Sequence, residues 1–264
     1  MKIAVCVKQV PDSWAEKKMV NGSLDRAGVD AVLNDLDEYA VEEALKIIEA
    51  HSPTGEAGEG SGHSITLITM GPDRASEALR KGLSMGADSA IHISDSALAG
   101  ADSLLTSHVL AEAIKSGNFD LVLCGTESTD ARMSVVPAMI AERLGWAQLT
   151  FAGSVVVDPA ATKVEISRVT EIGAEKMQAQ FPAVISVVEK INEPRYPSFK
   201  GIMAAKKKSI EVKALADLGL SATPAWSNVK DATPRPARAA GLKVEDSGNG
   251  GSDLVNYLAE KRVI

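Results

Sequence analysis

An α/β fold, built on a doubly wound and mostly parallel sheet, is predicted by three features of this sequence. Short apolar runs alternate with longer amphipathic stretches through the first two-thirds of the chain. Runs such as residues 3–7 and 121–124 are apolar at every position, the pattern of strands covered on both faces. The stretches between runs are long enough for the crossover helices that parallel strands require.

The elements follow in order. Residues 3–7 read as the first buried strand. Across residues 37–50, Ala40, Val41, Ala44, Leu45 and Ile48 recur at helical spacing with charges opposite, predicting an amphipathic helix. Residues 51–63, rich in Gly, Ser and Glu, predict a loop. Residues 65–70 form the second strand, and Gly71-Pro72-Asp73 turns into a helix with Asp73 as N-cap. Residues 89–93 are a strand, 102–115 a helix, 121–124 a strand and 134–144 a helix. Beyond Gly145 the character changes. Residues 155–157 and 164–167 flank a turn at 158–162, which predicts a β-hairpin, and 181–188 form a strand entered through Pro182. A Pro- and Ala-rich stretch (223–240), a Gly-rich hinge (248–251) and a terminal amphipathic helix (253–261) follow. This tail has too little apolar periodicity to fold alone, so it lies along this domain or a partner.

Composition narrows the function. Of 264 residues 45% are hydrophobic and 24% charged, enough for a real core, which must be aliphatic because aromatics are 4%. A net charge of -7 argues against a nucleic-acid binder. Cys6 and Cys124 sit in apolar runs, with neither a disulfide framework nor metal-ligand spacing, and read as small buried hydrophobes. No apolar stretch is long enough to span a membrane and no signal-peptide pattern opens the chain, so a cytoplasmic, reduced setting is expected.

In a doubly wound sheet, ligands bind beyond the carboxyl ends of the strands, where strand order reverses. That singles out the loops after Val7, Leu33, Met70 and Cys124. The last is Gly125-Thr126-Glu127-Ser128-Thr129-Asp130-Ala131-Arg132-Met133-Ser134. It runs into a helix N-terminus, where free N–H groups and the dipole favour a phosphate. Ser128, Thr129 and Ser134 offer hydroxyls, and Asp130 takes a ribose hydroxyl or caps the helix; the loop reads equally as a well-capped helix entry. The chain has no G-x-G-x-x-G after the first strand and no phosphate-loop motif. Its four scattered histidines support no nucleophilic constellation, so it reads as a protein without bond-making chemistry. Finally, residues 192–208 carry Pro194 and Pro197, then Phe199, Ile202 and Met203 in a predicted loop, followed by three lysines. Exposed apolar groups ringed by charge mark an interface; the alternative is a loop folded onto its own domain.

Several of these segments resemble the electron-transfer flavoprotein beta subunit and its nitrogen-fixation branch. They are Val7-Lys8-Gln9-Val10, the run Asn34 to Ala44, Met70-Gly71-Pro72, Ala87-Asp88, the Gly125 to Asp130 loop and, most specifically, Asn192-Glu193-Pro194-Arg195-Tyr196 with Ile202-Met203-Ala204-Ala205-Lys206-Lys207-Lys208. The resemblance spans nearly the whole chain. It implies an adenine nucleotide alpha hydrolase-like fold and a heterodimer in which an alpha subunit holds FAD while this subunit binds AMP. The implied AMP contacts are Cys6, Asn34, Asp35, Leu36, Asp37, Met70 and the loop extended through Ala131, Arg132, Met133, Ser134, Val135 and Val136. Ser13 and Trp14 fall near the flavin. Tyr196, Phe199, Ile202 and Met203 would dock acyl-CoA and other dehydrogenases, as in fatty acid oxidation. Implied boundaries are a nucleotide-binding domain (1–190), a recognition loop (191–208) and an extension packing on the partner (209–264). The sequence departs from the family at Val169, where an acidic residue often pairs with an alpha-subunit arginine, at Ser13, where an aromatic is usual, and at Val135 and Val136, which replace polar side chains. Two alternatives stand beside this reading: a bifurcating-type subunit with a second FAD in place of AMP, and a stand-alone adenine-nucleotide-binding regulator.

Overall fold

The fold is described from a computed structural model covering residues 1–20, 22–52, 62–233, 235–241 and 243–264. Two compact units form, Met1–Lys230 and Asp231–Ile264. In the first, β1 (Lys2–Cys6) carries Ile3, Ala4 and Val5 with no exposed surface. The chain then makes β2 (Gln9–Pro11), a surface hairpin of β3 (Met19–Val20) and β4 (Ser23–Leu24), and β5 (Ala31–Leu33), which pairs antiparallel with β2. The helix α1 (Asp35–His51) opens on Asp35, Asp37 and Glu38, acidic residues that the positive end of a helix favours. It buries Ala40, Val41, Ala44, Leu45, Ile47 and Ile48, and burial of each large aliphatic side chain stabilises the fold by about 1.5–3 kcal/mol.

Next come β6 (Ser64–Met70), α2 (Ser76–Met85), β7 (Ser89–Ile93) and α3 (Ser103–Lys115), whose N-cap Asp102 accepts the Leu105 N–H at 2.9 Å. They lead to β8 (Leu121–Gly125) and α4 (Val136–Leu144), which ends on Gly145 in the left-handed conformation, φ 65°. Strand β9 (Ala147–Ala152) precedes a three-stranded antiparallel sheet of β10 (Ser154–Asp158), β11 (Lys163–Thr170) and β12 (Gly173–Gln180). Then follow β13 (Ala183–Val187), α5 (Phe199–Ala205) and β14 (Ile210–Lys213). The main sheet runs β14-β7-β6-β1-β8-β13-β9, parallel at every pairing. Helices α1 and α2 contribute to the core on one face, and α3 and α4 to the core on the other. The doubly wound α/β architecture predicted from the apolar runs is therefore present. The second unit contains α6 (Gly250–Glu260), none of whose residues is buried. No helix among the described residues is long and apolar enough to cross a membrane.

Several local expectations are corrected. Asp73 does not cap α2; its carboxylate accepts the Ser94 hydroxyl at 3.0 Å, and a 3-10 turn, Asp73–Ala75, leads into the helix. Helix α4 starts at Val136 rather than at Ser134, because Ser134 adopts φ 54°, which helical backbone excludes. The sheet continues beyond the predicted hairpin, since β11 extends to Thr170 and pairs antiparallel with β12, which starts at Gly173. The apolar residues of the predicted docking loop lie on or beside a helix, α5. Strands β9 and β14 have no counterpart in the sequence reading, and β14 brings residues from the stretch 209–264 into the main sheet against β7. Most of the predicted 51–63 loop, residues 53–61, lies outside the described residues.

Candidate functional site

Strand β1 sits between β6 and β8, and the chain winds outward from it in both directions. The crevice of the sheet therefore opens at the carboxyl ends of β1 and β8. Three segments meet there: the end of β1 with Lys8, the start of α1, and the loop after β8. Asn34 joins the last two. Fully buried, it donates from Nδ2 to the Glu127 carbonyl at 2.9 Å and accepts the Thr129 N–H on Oδ1 at 3.0 Å. Thr126 secures the loop to the other neighbour of β8, with both N–H and hydroxyl donating to the Val187 carbonyl.

A second tie is ionic. The Asp130 side chain is 1% exposed, and it accepts Lys8 Nζ on Oδ1 and Arg26 Nε on Oδ2, each at 2.8 Å. Burial alone would raise its pKa, but the Lys8 charge and hydrogen bonds from Lys8, Ser128 and Arg26 prevail and hold it at about 2. Arg74 fixes the segment carrying Arg26 by donating to the carbonyls of Arg26, Ala27 and Val29. Asp130 is thus a structural tie, and both of the oxygens that the sequence reading offered to a ribose or a helix cap are engaged.

Asp37 behaves in the opposite way. It accepts the Lys8 N–H at 2.8 Å and hydrogen bonds from Asn34 and Gly125, yet burial dominates and pushes its pKa up to about 7. The two carboxylates act on stability in opposite pH ranges. Asp130, depressed, contributes stability above its unfolded pKa near 3.8, and this is lost as the pH falls toward 2. Asp37, raised, binds its proton more tightly in the folded state, so its contribution declines as the pH rises from about 4 to about 7. The expected result is an Asp37 side-chain carbon resonance titrating near pH 7, assigned by its loss in Asp37→Asn. A midpoint near 4 would overturn the desolvation argument.

The remaining geometry concerns the entry to α4. Its N-cap residue Val135 makes no side-chain capping bond, and Pro137 lies in the first turn. Backbone N–H groups at such a terminus lack intrahelical acceptors and attract an anion. Arg132 and Ser134 both have positive φ, 51° and 54°, so the backbone reverses before the helix begins. Two of the hydroxyls highlighted in the sequence are engaged: Ser134 donates to Glu127 Oε2 and Ser128 accepts from Lys8. An anion here would be met chiefly by backbone N–H groups. Ala131, Arg132 and Met133 are exposed along the loop, whereas Val135 and Val136 are half-buried. Cys6 and Met70, half-buried at the ends of β1 and β6, pack against the core; Leu36 lies against Gly125, and Asp35 is exposed.

The structure groups the other predicted residues separately. Trp14, 94% exposed, borders a cleft of about 670 Å³ with Asp12, Ala27–Asp30 and Arg74, and Ser13 is exposed beside it. Tyr196, Phe199, Ile202 and Met203 are exposed on and before α5. Sequence reasoning missed the roles of Lys8 and Arg26. Lys8 stood inside a quoted motif, but nothing local to Arg26 signals a partner in the loop after β8.

Comparison with known proteins agrees with this architecture. The family model for the electron transfer flavoprotein domain matches residues 21–218. The electron transfer flavoprotein subunit beta of Mycobacterium tuberculosis is 47% identical across 99% of each chain. The protein of that name from Megasphaera elsdenii is 38% identical across 100% of this chain and 98% of its own, and that from Clostridium acetobutylicum 35% across 93% and 92%.

Proposed function

The chain belongs to the electron transfer flavoprotein family, in its beta-subunit branch, and from that membership we propose that it is one half of a heterodimeric electron carrier that binds AMP in the crevice of its sheet. One observation carries the nucleotide assignment: the uncapped N-terminus of α4 faces a crevice whose loop is pinned by Asn34 and Asp130. The residues present fit such a ligand. A Cβ on Gly125 would stand 2.5 Å from Asp37 Oδ1, so the strand end and α1 approach each other as closely as only glycine permits. The backbone of residues 131–136 would hold the phosphate, with Cys6, Asn34–Asp37 and Met70 lining the rest. AMP would act as structural filler that locks three segments together.

FAD bound by an alpha subunit supplies the electron-carrying chemistry. This chain contributes position. Ser13 and Trp14, projecting beside the Arg74 cleft, are suited to approach that flavin. Tyr196, Phe199, Ile202 and Met203 form the docking patch for dehydrogenases that deliver electrons. No substrate chemistry of its own is assigned, since the strongly perturbed carboxylates Asp37 and Asp130 are both engaged in holding the loop.

The test is to purify the protein with its native partner, denature the complex and identify the released nucleotides and chains by mass spectrometry. One AMP, one FAD and a second, larger chain are expected. Two FAD and no AMP would overturn the nucleotide assignment, and a lone chain without flavin would overturn the carrier reading.

A further inference from the structure

Cys6 and Cys124 lie far apart in the sequence, yet the sheet makes them register partners on the adjacent parallel strands β1 and β8. In-register residues on neighbouring strands point to the same face and lie about 4.8 Å apart. A disulfide spans Cα separations of about 4.4–6.8 Å. Both thiols are free. Cys124 is 5% exposed, whereas Cys6, the last residue of β1, is half-buried and so the more accessible of the two.

We propose that this pair is an oxidative modification site: peroxide converts Cys6 and Cys124 into a reversible disulfide that staples β1 to β8 at the floor of the crevice. The more accessible Cys6 reacts first. Its thiolate attacks one oxygen of hydrogen peroxide, the O–O bond breaks, and Cys6 becomes a sulfenic acid as the departing hydroxide is protonated to water. The Cys124 sulfur then attacks the Cys6 sulfur. The S–O bond breaks, and the leaving hydroxide takes the Cys124 proton to form a second water. In sum, two thiols and one peroxide yield one disulfide and two waters. Contact with Cys6, then burial, hold the Cys124 thiol well above its ordinary range, which fits it for the resolving rather than the initiating role. An external dithiol reverses the bond.

One consequence rests on the AMP reading proposed above. A nucleotide lying over Cys6 shields it, so occupancy protects the pair. The experiment treats the complex, first depleted of bound nucleotide, with a small excess of hydrogen peroxide, blocks free thiols with iodoacetamide and digests without reduction. A peptide pair joining Cys6 to Cys124, about 2 Da lighter than the two reduced peptides together and released by dithiothreitol, is expected. Cys6→Ser and Cys124→Ser should each abolish it. Cys6 accumulating as sulfinic acid while Cys124 remains alkylatable would overturn the proposal, as would a cross-link formed only between molecules. Saturating AMP is expected to slow the cross-linking about tenfold or more. Cross-linking at equal rates with and without AMP would support the disulfide and count against the placement of the nucleotide over Cys6.

Discussion

Replacing Gly125 with alanine is expected to destabilise the protein by about 2–3 kcal/mol and, given the AMP site proposed above, to empty the crevice of nucleotide, and valine is expected to prevent folding. The added carbon would lie 2.5 Å from Asp37 Oδ1, 2.8 Å from the Leu36 carbonyl carbon and 2.9 Å from its oxygen. Two of these are backbone atoms at the start of α1, and Asp37 is held by the Lys8 N–H, so none can move aside without opening the crevice. For a chain of this length the alanine change corresponds to a melting shift of about 5–10 °C. The comparison is Gly145→Ala. There φ is 65° but nothing lies within 4 Å of the added carbon, so only backbone strain acts, about 1 kcal/mol. Thermal melts of the purified complexes decide the matter. If Gly125→Ala melts no lower than Gly145→Ala and keeps its nucleotide, strand end and helix are not in the close contact on which the site depends.

The ranking of these two glycines was not legible in the sequence, although most of the central sheet was. Strands β1, β6, β7 and β8 announce themselves because they are covered on both faces and thus mostly apolar. Strands β9 and β14 are edges. Phe151 and Val212 are exposed on them, and polar residues interrupt any clean pattern. Helix α5 was hidden by Gly201, which lowers helix propensity at its centre. The structure shows why glycine stands there: a Cβ would lie 2.6 Å from the Ser84 carbonyl of α2. In the candidate site, the loop after β8 and the start of α1 were found through strand-end reasoning and family resemblance. The Lys8–Asp130–Arg26 tie and the Cys6–Cys124 register depend on how distant segments meet, and local periodicity carries no record of that.

Given the docking patch and cofactors proposed above, Phe199→Ala is expected to lower the efficiency of electron delivery from a dehydrogenase by about 30-fold or more, while FAD and AMP contents stay unchanged. Phe199 is 80% exposed on α5, so its removal creates no cavity and disturbs no packing. The helix beneath it is held independently. Arg80 Nη1 donates to the carbonyls of Ala205 and Lys208 at 2.6 Å each, and Lys208 Nζ donates to the Ala87 carbonyl at 2.5 Å. Upstream, Arg195 forms paired bonds to the Glu42 and Glu49 carboxylates, and Asn192 donates to the Tyr39 carbonyl and to Glu43. An anchor on a base so fixed loses little freedom when it enters a partner's pocket, and aromatic anchors of that kind contribute about 2 kcal/mol or more. Arg195→Met separates the two roles. It leaves Phe199 in place but strands the buried Glu42 carboxylate, and is expected to destabilise the fold by about 2–3 kcal/mol, since partial exposure of Arg195 softens the loss. The readouts are flavin reduction by a partner acyl-CoA dehydrogenase across a range of enzyme concentrations and the thermal melt of each complex. Unchanged reduction rates in Phe199→Ala would remove it as the anchor. A melt lowered only in Arg195→Met, with delivery impaired chiefly in Phe199→Ala, is the pattern that an anchor on a separately held helix produces.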